Sequence, residues 1–164
     1  MKTSAPNFFL RPLTPADANA LYRLTSNPKV ARFMRFGTHT DPAEAQALIE
    51  QFCAPGNRAF AVCPAEGAEL CGVFAFKADP EEPGVYSLST LSAPEVWNRG
   101  MGTVLLARMK IYARDVLRAR RLEAYVVDAN AASRRVLEKN GFSVSRRMEF
   151  PDLAGCLLVY ALNL

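Results

Sequence analysis

Residues 96–103, Val-Trp-Asn-Arg-Gly-Met-Gly-Thr, hold the chain's most chemically suggestive spacing. They lie between a segment rich in Tyr, Leu, Ser and Thr and a long run with helical periodicity. A strand that turns through glycines into a helix presents the first helical N–H groups, which have no internal partner, beside the positive end of the helix dipole. Gly100 and Gly102 carry no Cβ and let an anion approach the backbone, while Arg99 adds a full positive charge and Thr103 a hydroxyl. Together these residues can cradle a pyrophosphate. The pattern is not the dinucleotide G-x-G-x-x-G, because Val104 and Leu105 follow Thr103, and no Gly-Lys-Ser/Thr triphosphate loop is present. A tight strand-to-helix turn without a ligand accounts for the same residues, so both readings stand at this point.

A second pair lies downstream. Asn130 directly precedes a helical segment, where its side chain suits an N-cap worth about 1 kcal/mol. Ser133 comes three residues later and shares a helix face with it. His39, the single histidine, stands in a Gly-Thr-His-Thr loop. Its ordinary pKa suits base chemistry, but a solitary loop histidine is expected on the surface. Cys53, Cys63, Cys71 and Cys156 form no close pair, which predicts buried thiols in a reducing compartment and neither a zinc site nor a redox motif.

The elements that must position these groups follow from periodicity and punctuation. Residues 8–13 form a short apolar strand closed by Pro12. Thr14-Pro15-Ala16-Asp17 then reads as a helix start, with Thr14 as cap, Pro15 at the first position and Asp17 as a capping-box acid. Apolar spacing carries that helix until Asn27-Pro28 breaks it, and Asp41-Pro42-Ala43-Glu44 opens another through Phe52. Residues 58–62 and 70–77 predict an antiparallel pair, and 84–92 a third strand. A long helix over 102–118 places Leu105, Met109, Tyr112 and Val116 on one face. A strand over 122–127, a helix over 131–139 stopped by Asn140-Gly141-Phe142, and strands over 143–148 and 156–162 complete the chain. That order is an α/β fold with a mixed sheet.

Composition fits one globular domain over residues 1–164. Half the residues are apolar and 22% charged, with 9 Gly and 11 Pro, which argues against disorder or a disulfide-built miniprotein. The formal charge of +4, from 20 Lys+Arg against 16 Asp+Glu, accommodates an anionic ligand but does not by itself indicate nucleic acid. Lys110, Arg114 and Arg118 recur every four positions and read as a solvated face; Arg118, Arg120 and Arg121 also suit the dipole at a helix end. No apolar run reaches the roughly 18 residues of a membrane span, and the first residues lack the apolar stretch of a signal peptide, so the expected location is the cytoplasm.

The run from Trp97 to Thr103 resembles the acetyl-CoA-binding signature of the GNAT N-acetyltransferase superfamily, Gln/Arg-x-x-Gly-x-Gly/Ala. Trp97 at its first position is similar to the ribosomal-protein N-acetyltransferase branch, although Asn98 replaces a glycine usual there. Residues 127–142 and the opening Phe9-Leu10-Arg11-Pro12-Leu13-Thr14 resemble two further stretches of that branch. The resemblance implies a GNAT-like, mostly antiparallel mixed sheet flanked by helices. It also implies direct attack of a primary amine on the thioester of acetyl-CoA, with no metal. Coenzyme contacts then fall to Leu91, Ser92, Trp97, Asn98, Arg99, Gly100, Met101, Gly102, Thr103, Asn130 and Ser133, with the pantetheine alongside residues 88–92.

Many members of the family place an acidic tyrosine where this chain has Leu137, which leaves Ser133 as the nearest hydroxyl to the departing sulfur. A serine holds its proton far more tightly than a thiol of pKa about 8.5, so two catalytic roles stand for Ser133, acid or hydrogen-bond donor to the sulfur. Residues 85–92 carry no carboxylate, and the general base is unassigned. Glu138 and Lys139 read as a solvated helix end, and Gly141 and Phe142 as a stop and a core anchor. The acceptor is a protein N-terminus or a small-molecule amine, chosen by loops around 30–40 and 148–156; a homodimer is compatible with the sequence. The alternative is a non-catalytic acyl-CoA-binding sensor on the same fold.

Overall fold

The computed structural model describes residues 7–149 and 155–164, so the first six residues and part of the 148–156 loop lie outside the described residues. The chain divides into two compact units. One comprises the chain up to Lys77 together with Ser89–Arg99, and the other Ala78–Leu88 together with Gly100–Leu164.

In the first unit, β1 (Phe9–Pro12) pairs antiparallel with β2 (Arg58–Cys63), and β2 pairs antiparallel with β3 (Gly72–Ala78). Three helices accompany them: α1 (Ala18–Thr25), α2 (Pro28–Ala31) and α3 (Pro42–Phe52). Leu13, Leu21, Leu24, Val30, Leu48 and Ile49 bury their side chains with Ala61, Val73 and Leu91 in one apolar cluster. The last residues of β4 (Val85–Ser92) belong here, and Ala93 N–H donates to Cys71 O at 2.8 Å.

The second unit is built on the first half of β4. That half runs parallel to β5 (Arg121–Val127) in four pairs, from Val85↔Arg121 to Leu88↔Ala124. Strand β5 pairs antiparallel with β7 (Cys156–Asn163), and β7 with β6 (Ser143–Glu149), where the register shifts between Val144 and Arg146. Helices α4 (Met101–Asp115) and α5 (Ala131–Lys139) complete it. Along the hydrogen-bonded strands the order is β1-β2-β3-β4-β5-β7-β6, the mixed sheet expected from the sequence.

The structure departs from expectation at several points. Helix α1 ends at Thr25, before Asn27-Pro28, as expected, but Pro28 also begins the short α2, because proline suits the first helical turn and Asn27 Oδ1 accepts from Lys29 N–H at 3.0 Å. Helix α4 ends at Asp115, short of Arg118, whose φ of 54° is left-handed. Its buried face is therefore Met101, Leu105, Leu106, Met109 and Ala113, while Val116 is exposed. The basic residues are not one solvated stripe. Lys110 Nζ donates to Asn140 O at 2.7 Å, Arg114 pairs with Asp115, Arg120 donates to Pro83 O, and Arg121 pairs with Glu123 on β5. Cys63 and Cys156 are buried as expected, but Cys71 is only half-buried and Cys53 is exposed.

The first turn after β1 carries an ion pair with measurable consequences. Asp17 is buried, and its two oxygens accept from Arg11 at 2.9 and 2.6 Å, with Thr14 N–H donating at 2.9 Å. The Arg11 guanidinium holds the Asp17 carboxyl below the usual carboxylate range, against the opposing effect of burial. A carboxyl depressed on folding contributes stability above its unfolded pKa, about 3.9, and loses it as pH falls through the folded value. Asp17→Asn is expected to cost about 2 kcal/mol at pH 7, because it leaves a partly exposed guanidinium without its anion. Thermal melts should show the gap between variant and parent closing on acidification. A gap equally wide well below pH 3 would remove Asp17 from the acid response.

Candidate active site

In the first unit, a 3-10 turn over Pro94–Val96 delivers Trp97 with extended backbone. Its indole N–H is shared between Ser92 O at 3.0 Å and Ser92 Oγ at 3.1 Å, which pins a 39% exposed ring against the last residue of β4. Asn98 then adopts φ 58°, a left-handed step that asparagine tolerates better than most residues. Arg99 is exposed, and no described residue engages its guanidinium. Leu91 is buried in the apolar cluster, so any ligand contact there falls to its backbone. Gly72 explains how β3 fits beside that stretch: a Cβ there would lie 2.8 Å from Leu91 O and 3.2 Å from Ser92 Cβ.

In the second unit, the start of α4 differs from those of α2, α3 and α5. Asn27, Asp41 and Asn130 each accept a first-turn N–H of α2, α3 and α5 with their own side chains, at 3.0, 2.7 and 3.2 Å. The N-cap of α4 is Gly100, which has no side chain. Val104 N–H bonds Gly100 O at 3.2 Å, but the N–H groups of Met101, Gly102 and Thr103 find no acceptor among the described residues. Three donors thus stand at the positive end of a 15-residue helix. The two glycines have different reasons. Gly100 needs its φ of 76°, and a Cβ built on it meets nothing within 4 Å. Gly102 lies where α4 meets α5, since its Cβ would fall 3.4 Å from Val136 Cγ2. The side chain of Met101 is buried, leaving its N–H as its contribution.

Asn130 caps α5 as expected, and Ser133 is half-buried. Leu137 is buried, and Gly141 (φ 88°) and the buried Phe142 end the helix. Glu138, expected to be merely solvated, accepts the hydroxyl of fully buried Tyr160 at 2.7 Å, and that same hydroxyl accepts from Arg134 Nε at 3.2 Å. Burial pushes the Tyr160 hydroxyl pKa up, so it remains a neutral donor. Periodicity gives no sign of this network, because Tyr160 sits in an apolar run and its partners on another element.

His39 overturns the surface expectation. It is 5% exposed, its ring lies 4.7 Å from that of Phe36, its backbone N–H donates to Thr25 O, and Nδ1 has no partner among the described residues. The neighbouring phenylalanines were the available sign of burial. The site residues therefore fall into two groups, with Leu91, Ser92, Trp97, Asn98 and Arg99 in the first unit and Gly100, Met101, Gly102, Thr103, Asn130 and Ser133 in the second. Among the described residues no cluster of His, Cys, Asp and Glu could hold a metal ion, and no helix is long and apolar enough to cross a membrane.

Residues 7–143 match the acetyltransferase (GNAT) domain family. The chain is 28% identical over 138 residues to the uncharacterised N-acetyltransferase YoaA of Bacillus subtilis, covering 81% of this chain and 77% of that protein. Its fold is shared with a GNAT-family acetyltransferase from Bacillus anthracis, with a TM-score of 0.81 and 21% identity over 98% of this chain and 96% of that one. It is shared too with the Vibrio cholerae spermidine N-acetyltransferase solved with CoA and spermine, with a TM-score of 0.83 and 18% identity over 95% of each chain. The chain belongs to the GNAT acetyltransferase family. It is an N-acetyltransferase by class, in a family that draws its acetyl group from acetyl-CoA.

Proposed function

We propose that this chain moves the acetyl group of acetyl-CoA to a primary amine by direct attack on the thioester. The observation that carries the reading is the uncapped start of α4, where the N–H groups of Met101, Gly102 and Thr103 wait on an anion and Arg99 adds charge. These fit the coenzyme's diphosphate. The pantetheine is assigned to the backbone of Leu91 and Ser92, held by Trp97 and Asn98, and to Asn130 and Ser133 at the start of α5.

In the reaction the neutral amine forms a C–N bond to the carbonyl carbon, the C–S bond breaks, the thiolate leaves and the amine's surplus proton passes to solvent. Backbone N–H donors facing the carbonyl oxygen would stabilise the tetrahedral anion by roughly 3 kcal/mol each. The Ser133 hydroxyl, which accepts no bond from described residues, supplies a hydrogen bond to the leaving sulfur. An α-amine, with pKa about 8, is nearer its reactive neutral form at pH 7 than an alkylamine at about 10.4. That supports a protein N-terminus, as the ribosomal-protein-alanine branch resemblance implies, or a small α-amine.

Thiol release from acetyl-CoA across peptides and small amines tests the reading, with turnover on at least one acceptor expected. CoA binding without release on any acceptor would point to a sensor instead. Arg99→Glu is expected to weaken CoA binding by about 1 to 3 kcal/mol, the range of charge-assisted hydrogen bonds. Unchanged calorimetric affinity would remove the arginine from the cradle.

A further inference from the structure

The face of β5 turned away from α4 and α5 carries a charged network that the coenzyme reading does not use. Alternation along β5 puts Leu122, Ala124 and Val126 on the helix side, in register with Leu162, Tyr160 and Leu158 of β7, and Tyr160 reaches Glu138 on α5. Arg121, Glu123 and Tyr125 therefore share the opposite face. There the buried carboxylate of Glu123 is already fully occupied. One oxygen pairs with Arg121 at 2.6 Å, and the other accepts from Tyr125 Oη at 3.2 Å and lies 3.5 Å from Arg146 Nη2 on β6. Arg146 Nη2 also donates to Tyr125 Oη at 3.3 Å.

Two features make this network more than a strand-to-strand tie. Its charge does not cancel, since two guanidiniums meet one carboxylate. Arg146 is also more than half exposed and spends only Nη2 on these contacts, leaving Nε and Nη1 with no partner among the described residues. Its exposed Nε–H and Nη1–H groups can each donate a charge-assisted hydrogen bond to a carboxylate. Arg147, the next residue, is turned toward Asp128 at 3.9 Å and does not add to these donors. The network also stands at a particular place on the strand: the β4–β5 ladder stops at Leu88↔Ala124, and Tyr125 is the next residue.

We propose that Arg146, braced by Tyr125, Glu123 and Arg121, recognises the acceptor, and that the acceptor is a primary amine carrying a carboxylate, not a polycation. This rests on the acetyl-transfer reading, which puts the thioester near Leu88, with the amine arriving from the face the coenzyme does not fill. A polyamine finds no free anion in this network, because Glu123 is neutralised twice, and it meets a surplus positive charge. A free amino acid and a peptide with an acidic side chain beside its N-terminus share the required chemistry.

Matched acceptors decide the proposal: an amino acid against its amide, a peptide beginning Ala-Glu against one beginning Ala-Gln, and spermidine. The acid of at least one pair is expected to exceed its neutral partner in kcat/KM by tenfold or more, and the pair that does so identifies the source. Arg146→Gln should bring that ratio toward one by raising KM for the acid alone, with CoA affinity unchanged, and Arg146→Lys should restore part of it. A merely structural role would lower acid and amide alike. Neutral acceptors or spermidine matching or outrunning the acids, or a ratio untouched by Arg146→Gln, would overturn it. Should CoA itself fail to bind, the acetyl-transfer reading falls, and saturation-transfer NMR of acid against amide on the free chain still decides this one, with equal or absent binding counting against it.

Discussion

Gly100→Asp is expected to lower CoA affinity at least about 100-fold, or about 2.7 kcal/mol, while leaving the chain folded. The Cβ of residue 100 would point into open space, so the substitution meets no steric barrier. Its cost to the fold is the left-handed backbone at φ 76°, about 1 kcal/mol for a residue such as Asp that tolerates that region. Its cost to binding is larger, because a fixed carboxylate then sits at the three unpartnered amides and repels the diphosphate. Gly102→Ala separates fold from ligand in the other direction. Its Cβ makes an ordinary 3.4 Å contact with Val136, and alanine is favoured over glycine in a helix by about 1 kcal/mol. The variant should melt no lower than the parent yet bind CoA more weakly. Calorimetry paired with thermal melts reads both quantities, and Gly100→Asp binding CoA as the parent does would dismiss the cradle.

The second large effect is expected at Gly72→Ala. This glycine needs no unusual φ; its reason is close approach alone, with Leu91 O only 2.8 Å from the position of a Cβ. No real Cβ sits that near a backbone oxygen, so β3 or the end of β4 must move. Overpacking of this kind costs about 1 to 3 kcal/mol, and here the displaced residues are Leu91 and Ser92, the second of which also receives the Trp97 indole. A lower Tm should therefore come with weaker CoA binding, whereas Gly102→Ala loses binding without losing stability. A Gly72→Ala protein with parental Tm would show that the β4 end has slack.

The parts of this fold legible in the sequence are those with local causes. Helix α5 runs over Ala131–Lys139 as read, because Asn130 caps one end and Gly141 closes the other within the same stretch of chain. The antiparallel pairing of β2 with β3 was legible from the turn between two short apolar runs. The end of α4 was not, since it depends on contacts made elsewhere: Arg118 turns left-handed, and Arg120 reaches back to Pro83 O. The same holds within the site. The glycine turn announced itself by composition, but the second reason for Gly102 lies in Val136 on another helix. The burial of His39, the bonds of Tyr160 to Glu138 and Arg134, and the approach of Arg146 to Glu123 all join residues distant in sequence, and periodicity within a segment carries no information about them.

The most direct test of the anion cradle is a calorimetric comparison of CoA with pantetheine, which keeps the thiol arm and lacks the diphosphate and nucleotide. The parent chain is expected to bind CoA at least about 100-fold more tightly, with most of that preference gone in Gly100→Asp. Equal affinities for the two ligands in the parent, or a preference that survives the aspartate intact, would contradict a diphosphate held at the start of α4.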